Sequence, residues 1–529
     1  MVDSDDGVIK KRGLSKGLLA LIIVLVIVVI GVVVYFSMGG GSLKQQYFLA
    51  EGETLDEMGN YIEDRYEAEF DWLEVTQEKP TKSSLDISGE YNDPNNEMMG
   101  DMFDIGEIVN NSTVQILTES DTPNQQLNAT LNADVAGISL QDFSFYLNQN
   151  TLTVDLPFLN EKLMINDENL VPLVNEIEPG AIDEETEINF TDLFEAQSQG
   201  ISEEDLEYLK KEYGMLIYKE VPDSAFESKS EKTEVNGEEL KAEKISMHLT
   251  EEEVHSILTK VFEKLETDER VKEMLKTQYN ALAIQEQEGI TTEDMLTDFE
   301  NDMGRAKESV SKLKMPEGLT SNIWVKDKVV VSREFTTELG EGTDSGTIEV
   351  TGNQLIDKEE SSLDYKMIFG SENDSVELNL VGLLTKEDTG YNDDISLNIM
   401  PDSSGTDILI SYLADEKVDG DKTDFDRTFM LSESGMELGK LHWDGQANYE
   451  KDQMKSNHSF ALEAQGLARD LFILNVDVTG EQIKEVAKVD PEDGKDLGAM
   501  SGQEVMEYFE TDVTNQFTQW LMTQMQQFE

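Results

Sequence analysis

Two periods of hydrophobicity alternate along this chain. Leu55, Met58, Ile62, Tyr66, Phe70 and Leu73 recur every three or four residues, which places them on one side of a helix and predicts that this side is buried. From Ser84 to Leu156 the period falls to two, in runs such as Leu85-Asp86-Ile87-Ser88, Val114-Gln115-Ile116 and Leu152-Thr153-Val154-Asp155-Leu156. Asn, Asp, Gly and Pro separate these runs, so they read as antiparallel strands. A helix is expected over Ser202–Glu212 and a strand over Met215–Val221. A hairpin should then turn at Asn236-Gly237, the pair best suited to the positive φ values of a type I′ turn. Thr250 and Glu253 have capping-box spacing ahead of Val254, Ile257, Leu258, Val261 and Leu265, and helices continue to about Lys314.

Met315-Pro316-Glu317-Gly318 interrupts that pattern, because proline disfavours helix in the residue before it and glycine ends the run. Beyond it the strands are legible: Val376, Leu378 and Leu380 alternate with Glu377 and Asn379, and the same holds at Ile395-Leu397-Ile399 and Phe472-Leu474-Val476-Val478. The C-terminus reads as a helix capped by Ser501 and Glu504, with Val505, Phe509, Val513, Phe517, Leu521 and Met525 on a stripe that covers the sheet. The expected architecture is therefore α+β: an N-terminal transmembrane helix followed by two domains of curled antiparallel sheet packed with helices. After a linker over 39–46, the first domain would run over 47–315 and a β-rich second domain over 316–529.

One run obeys neither period. Gly17 to Met38 carries no charge, and as a helix it would be about 33 Å long, enough for a bilayer core of about 30 Å. Lys10, Lys11, Arg12 and Lys16 precede it and only Lys44 follows closely, so residues 1–16 should be a cytoplasmic tail and all that follows Met38 extracytoplasmic. The run exceeds the apolar core of a cleaved signal peptide, and Ser37-Met38-Gly39 is a poor cleavage site, so residues 17–38 read as an uncleaved transmembrane signal anchor. The expected localisation is the cell membrane, single-pass.

Charge narrows the partners. The chain has 41 Lys and Arg against 111 Asp and Glu, a net charge of −70. That excludes nucleic acid and anionic membrane faces as partners, leaving the membrane through the N-terminal helix and a lipid or other cell-envelope component. With no cysteine, stability outside the cell would rest on core size, without disulfides.

Candidate chemistry is sparse. His248, His255, His442 and His458 form no metal-ligand spacing and read as surface or hairpin residues. No nucleophile-elbow motif is present, and Gly340-Glu341-Gly342 to Gly346 lacks the lysine of a phosphate loop. In Asp415–Asp426 the residues Asp415, Asp419, Gly420 and Asp426 fit a calcium-loop register, but Lys417 occupies a ligand position and the flanks look like strands, so a solvated hairpin tip is the simpler reading. No catalytic, cofactor or metal residue is assigned, and no cofactor is implied. Two functions remain: a membrane-tethered, extracytoplasmic, non-enzymatic module of the cell envelope with an apolar pocket for a lipid or other apolar ligand, and a cell-envelope hydrolase using paired carboxylates.

The stretches Leu156–Val174 and Tyr208–Leu275 resemble a family of uncharacterised membrane-anchored extracytoplasmic proteins of Gram-positive, Bacillus-like bacteria, a domain of unknown function. The resemblance covers the anchor and most of the first half, more loosely the second. It implies no catalytic residues, and this chain is more acidic than it leads one to expect, as from a halotolerant or alkaliphilic source.

Overall fold

A computed structural model of the protein describes residues 41–93, 105–182, 188–191, 194, 203–283, 292–341, 344–371, 374–402, 405–487 and 494–526. Its strands in chain order are β1 (Thr81–Tyr91), β2 (Thr113–Asp121), β3 (Gln126–Val135), β4 (Ile138–Leu147), β5 (Thr151–Asp155), β6 (Lys162–Asn166) and β7 (Phe226–Val235). There follow β8 (Glu238–Leu249), β9 (Leu319–Lys326), β10 (Val329–Glu341), β11 (Asp344–Leu355), β12 (Glu360–Ser371), β13 (Asp374–Glu387) and β14 (Gly390–Pro401). The last are β15 (Ile408–Asp419), β16 (Lys422–Glu433), β17 (Met436–Glu450), β18 (Gln453–Ala464), β19 (Phe472–Gln482) and β20 (Gly494–Asp496).

All twenty belong to one sheet. Pairing runs from β7 in sequence to β19, crosses to β1, and continues in sequence to β6 and then β20. Among the described residues β7 pairs only with β8, and β20 only with β6, so the sheet is open with an edge at each end. This corrects the expected anchor helix followed by two separately curled domains. Hydrogen bonding passes straight over the Met315-Pro316 break through β8–β9, and β19 returns to β1 with Val478 opposite Leu85 and Val476 opposite Ile87. Matched apolar partners nearly four hundred residues apart make that union, a register no local pattern encodes.

The two faces of the sheet differ sharply. One cross-strand row reads Phe425, Gly445, His458, Val476, Ile87, Val114, Ala133. The row beside it, on the other face, reads Asp426, Asp444, Ser459, Asn475, Ser88, Thr113, Asp134. Period-two alternation in each strand thus adds up to one apolar and one polar face over this stretch of the sheet, while at the β7–β10 end a small apolar cluster of Ala242, Trp324 and Val331 sits on the otherwise polar side.

Helices α1 (Leu43–Arg65) and α2 (Glu67–Glu78) lie across the apolar face, at a steep angle to the strands. The first begins inside the expected linker, where the Ser42 hydroxyl accepts the Gln45 N–H. Its sheet-facing side is not the apolar stripe: Tyr47, Glu51, Thr54 and Arg65 point to the strands, whereas Met58, Ile62, Phe70 and Leu73 are exposed. Polar anchoring overrides the period. Tyr47 donates to or accepts from Ser321 of β9, and Trp72 packs over Gly480 of β19. Those helical residues are about 38 Å apart along the axis, while β9 and β19 are about 48 Å apart measured across a flat sheet. The shorter helical span fits a sheet that bends toward the helices, which makes the apolar face a trough.

One end of the trough is closed by a helical lobe. Here α3 (Met215–Glu220), α4 (Glu251–Thr267) and α6 (Thr292–Val310) pack with α1 and strands β7 to β11 around Tyr47, Ile245, Leu258, Phe262 and Ile323, all essentially out of solvent, and α5 (Glu269–Ala283) packs on α6. The α3 segment was expected as a strand; Ile217 and Val221 are four apart and both buried in this core, so tertiary packing selects helix. The Thr250–Glu253 capping box and the Asn236-Gly237 turn are present as expected, with φ of 53° and 77° at the turn. At the other end lie α7 (Gly502–Tyr508), whose Ser501–Glu504 capping box is also formed, and α8 (Thr514–Gln526). A π-helical turn, Phe509–Val513, joins them and shifts the stripe, leaving Phe509 and Phe517 exposed while Trp520 meets Phe143 of β4. The C-terminal helix thus covers only the far end of the sheet.

Candidate functional site

The middle of the trough holds a buried charge network. Arg65 at the end of α1 donates to Asp393 of β14 and Glu416 of β15, at 2.7 and 2.9 Å, with all three side chains at most 3% exposed. Glu416 also takes two bonds from Arg427 of β16, at 2.6 and 2.9 Å. Two guanidinium groups thus face two carboxylates, and the set is neutral. Burial would lower the Arg65 pKa, but Glu416, Tyr66 and Asp393 together outweigh it and the net shift is upward. Burial raises Asp393, and Arg65 only partly offsets this. Glu69 of α2 is likewise raised by burial, with Glu416 adding to it. An isolated buried charge would be costly, and this arrangement leaves none unpaired.

Around the network the floor is aromatic. Arg427 lies 4.4 Å from the Phe425 ring centre and 4.5 Å from that of Trp443, and Trp443 stacks on Phe460. The Trp443 indole donates to Nδ1 of His458 at 3.1 Å; burial, with Arg427 nearby, lowers the His458 pKa. Large rings on a strand need small neighbours, and Gly445 supplies one: a Cβ there would fall 2.6 Å from Phe425.

The helix divides the trough lengthwise. On its polar flank Glu57, Asn60, Tyr61 and Asp64 join Lys358, Lys386 and Tyr391 around a cavity of about 590 Å³, at the rim formed by the β11–β12 and β13–β14 turns. The opposite flank carries exposed Met58 and Ile62, and α2 adds Phe70 and Leu73. It therefore faces the half of the floor that runs to the other rim, formed by the turns after β12, β14, β16 and β18. Among the described residues nothing covers that half. Leu380, Leu397, Ile410 and Leu431 form one cross-strand row, and Leu441 and Leu462 another. Ile410, Phe429, Leu431, Leu462 and Phe472 are each more than a third exposed. Soluble proteins seldom leave so extended an apolar surface bare without a use for it.

The residues singled out in the sequence lie mostly elsewhere. His248 bonds to Thr320, His255 to the Leu313 carbonyl and His442 to Glu463; only His458 belongs to the trough. Asp415–Asp426 is a hairpin tip with Asp419 opposite Lys422, and Gly340 to Gly346 spans the β10–β11 turn. Asp426 does face another carboxylate, Asp444, but across the open polar face, where Arg469 takes Asp444.

No family model matches the chain, and no curated protein does. Solved structures that it is similar to include OccAB4 of Acinetobacter baumannii, at 8% identity over 77% of this chain and 98% of that one, TM-score 0.22. A BenF-like porin from Pseudomonas fluorescens Pf-5 is 6% identical over 77% and 98%, TM-score 0.24, and the CymD monoaromatic hydrocarbon channel 8% identical over 79% and 93%, TM-score 0.16. These TM-scores are too low to carry a fold or a function across.

Several expectations are corrected together. Among the described residues no helix is long and apolar enough to cross a membrane, and residues 1–38, with the tail and signal anchor read there, lie outside them. The single-pass localisation is therefore not retained. Neither is the tethered two-domain module, since there is one open sheet in place of two curled domains enclosing a pocket. The hydrolase fails on geometry: Asp393 and Glu416 in the trough are held by arginine, and the facing pair Asp426 and Asp444 sits on an open surface.

Proposed function

We propose that the protein is an open-sided channel, along whose apolar floor a molecule with a long apolar part travels between the two ends of the sheet. The observation that carries this reading is continuity: apolar side chains occupy the same face from Val350 of β11 through Leu431 and Leu462 to Phe143 of β4, and no described residue covers the half beside the helix along the way. A pocket would hold such a molecule in one place; a floor of near-equivalent rows favours no single station, so passage along it has no deep trap. The pinned helix supplies a second wall through Met58, Ile62, Phe70 and Leu73. Nothing in the trough requires bond chemistry.

The test uses a photoreactive amino acid placed singly at Leu380, Leu431, Leu462 and Leu131, the last an exposed floor residue of β3 opposite Phe143, in the full chain, with a radiolabelled C16 alkyl chain on an uncharged maltoside head as probe. Passage predicts labelling at all four stations, and competition at each by unlabelled probe. Labelling at one station alone, or at none, overturns it.

A further inference from the structure

On the reading of the apolar face as a path, we infer that the molecule it passes carries a cationic head group. The head must sit where the floor meets water, and the exposed floor residues Ile410, Leu431, Leu462 and Phe472 all lie close to the rim formed by the turns after β14, β16 and β18. That rim is acidic. Asp374, Asp402, Asp407, Glu433, Glu437 and Asp470 are exposed along it. Its basic side chains are already engaged, Lys440 with Glu437 and Arg469 with Asp444.

The arginines elsewhere in the described molecule are engaged as well. Every arginine among the described residues is in an ion pair: Arg65, Arg270, Arg305, Arg333, Arg427 and Arg469. An anionic head would find no guanidinium without breaking a pair, and those of Arg65, Arg333 and Arg427 are buried and costly to break. It would also approach against the field of a chain with net charge −70. A cationic head meets the opposite situation, since the same field draws it to the rim while its tail takes the floor.

Three probes with one tail separate these terms: dodecyltrimethylammonium, dodecyl maltoside and dodecyl sulfate, titrated into the full chain below their micellar concentrations. At low salt the cationic probe should bind about tenfold or more tighter than the anionic one, and the gap should narrow as salt screens the rim. A Leu431→Asp/Leu462→Asp variant, more negative but with a wetted floor, should lose the cationic probe. Equal binding of cationic and anionic probes overturns the head-group inference and leaves the path standing. Undiminished cationic binding by the variant also overturns it, because the probe would then be sticking to surface charge. If none of the three binds, the path itself falls and the inference with it.

Discussion

Arg65 and Asp393 stand 2.7 Å apart with both side chains almost wholly out of solvent, joining the end of one helix to the middle of a twenty-strand sheet. Removing the arginine alone leaves Asp393 buried without its counter-ion, although Glu416 keeps Arg427. Arg65→Ala should cost about 3–5 kcal/mol, felt first as loosening of α1 and α2. Hydrogen exchange of Tyr61 to Glu78 is the measure. Arg65→Met with Asp393→Leu, which removes both charges and refills the space, should recover most of the protection; if the double variant is no better than the single, the charges do not act as a pair.

Gly480 is the second point at which the helices depend on the sheet. A Cβ there would come within 2.5 Å of the Trp72 ring and 3.0 Å of Met454. Gly480→Val should displace the indole and cost about 1–3 kcal/mol by overpacking. Fluorine NMR of fluorotryptophan-labelled protein should show the Trp72 resonance move while that of Trp324, in a separate core cluster, stays. Adding Trp72→Ala should restore much of the lost stability. Unmoved Trp72 would mean that the helix does not rest there.

The two capping boxes give a smaller, cleaner expectation. Thr250 and Ser501 each accept a backbone N–H while Glu253 and Glu504 return a bond to the cap. Thr250→Ala or Ser501→Ala should each cost about 1 kcal/mol, read as a shift in the denaturation midpoint. Equal midpoints for wild type and variants would show that these helix starts are held by packing alone.

What the sequence discloses about this molecule follows the range of the interaction. Strands such as Val376–Leu380 and Phe472–Val478 are legible because each side chain need only alternate, and the capping boxes because four adjacent residues suffice. The union of β1 with β19 is hidden, since nothing near Leu85 points to Val478. The helix stripe misleads for a related reason: its apolar positions are real, but Arg65, Glu51 and Thr54 find partners on β14, β10 and the start of β10, and these set which side faces the sheet. One local signal was available. Arg65 is the only basic residue between Lys44 and Lys79, in a segment crowded with acids, and an isolated charge of that kind marks a place where the helix meets something specific.

Asp268 ties the helical lobe to pH. It accepts hydrogen bonds from the Tyr208 and Tyr213 hydroxyls, the latter at 2.7 Å, and from the backbone N–H groups of Arg270 and Val271 at the start of α5. Burial alone would raise its pKa, but the bonds from Tyr213, Tyr208 and Val271 outweigh it and the net shift is downward. A carboxylate whose folded pKa lies below its unfolded value contributes stability that is complete above the unfolded value of about 4 and is lost as pH falls through the folded one. Asp268→Asn should therefore destabilise the lobe by about 1–3 kcal/mol at pH 7, and the gap between variant and wild type should close as the pH is taken below 4. Chemical denaturation at pH 7, 5, 4 and 3, followed by the fluorescence of Tyr208 and Tyr213 neighbours or by far-UV helicity, measures the gap at each step. A gap that stays constant to pH 3 would mean that the anion at Asp268 contributes nothing and that the residue acts there by shape alone.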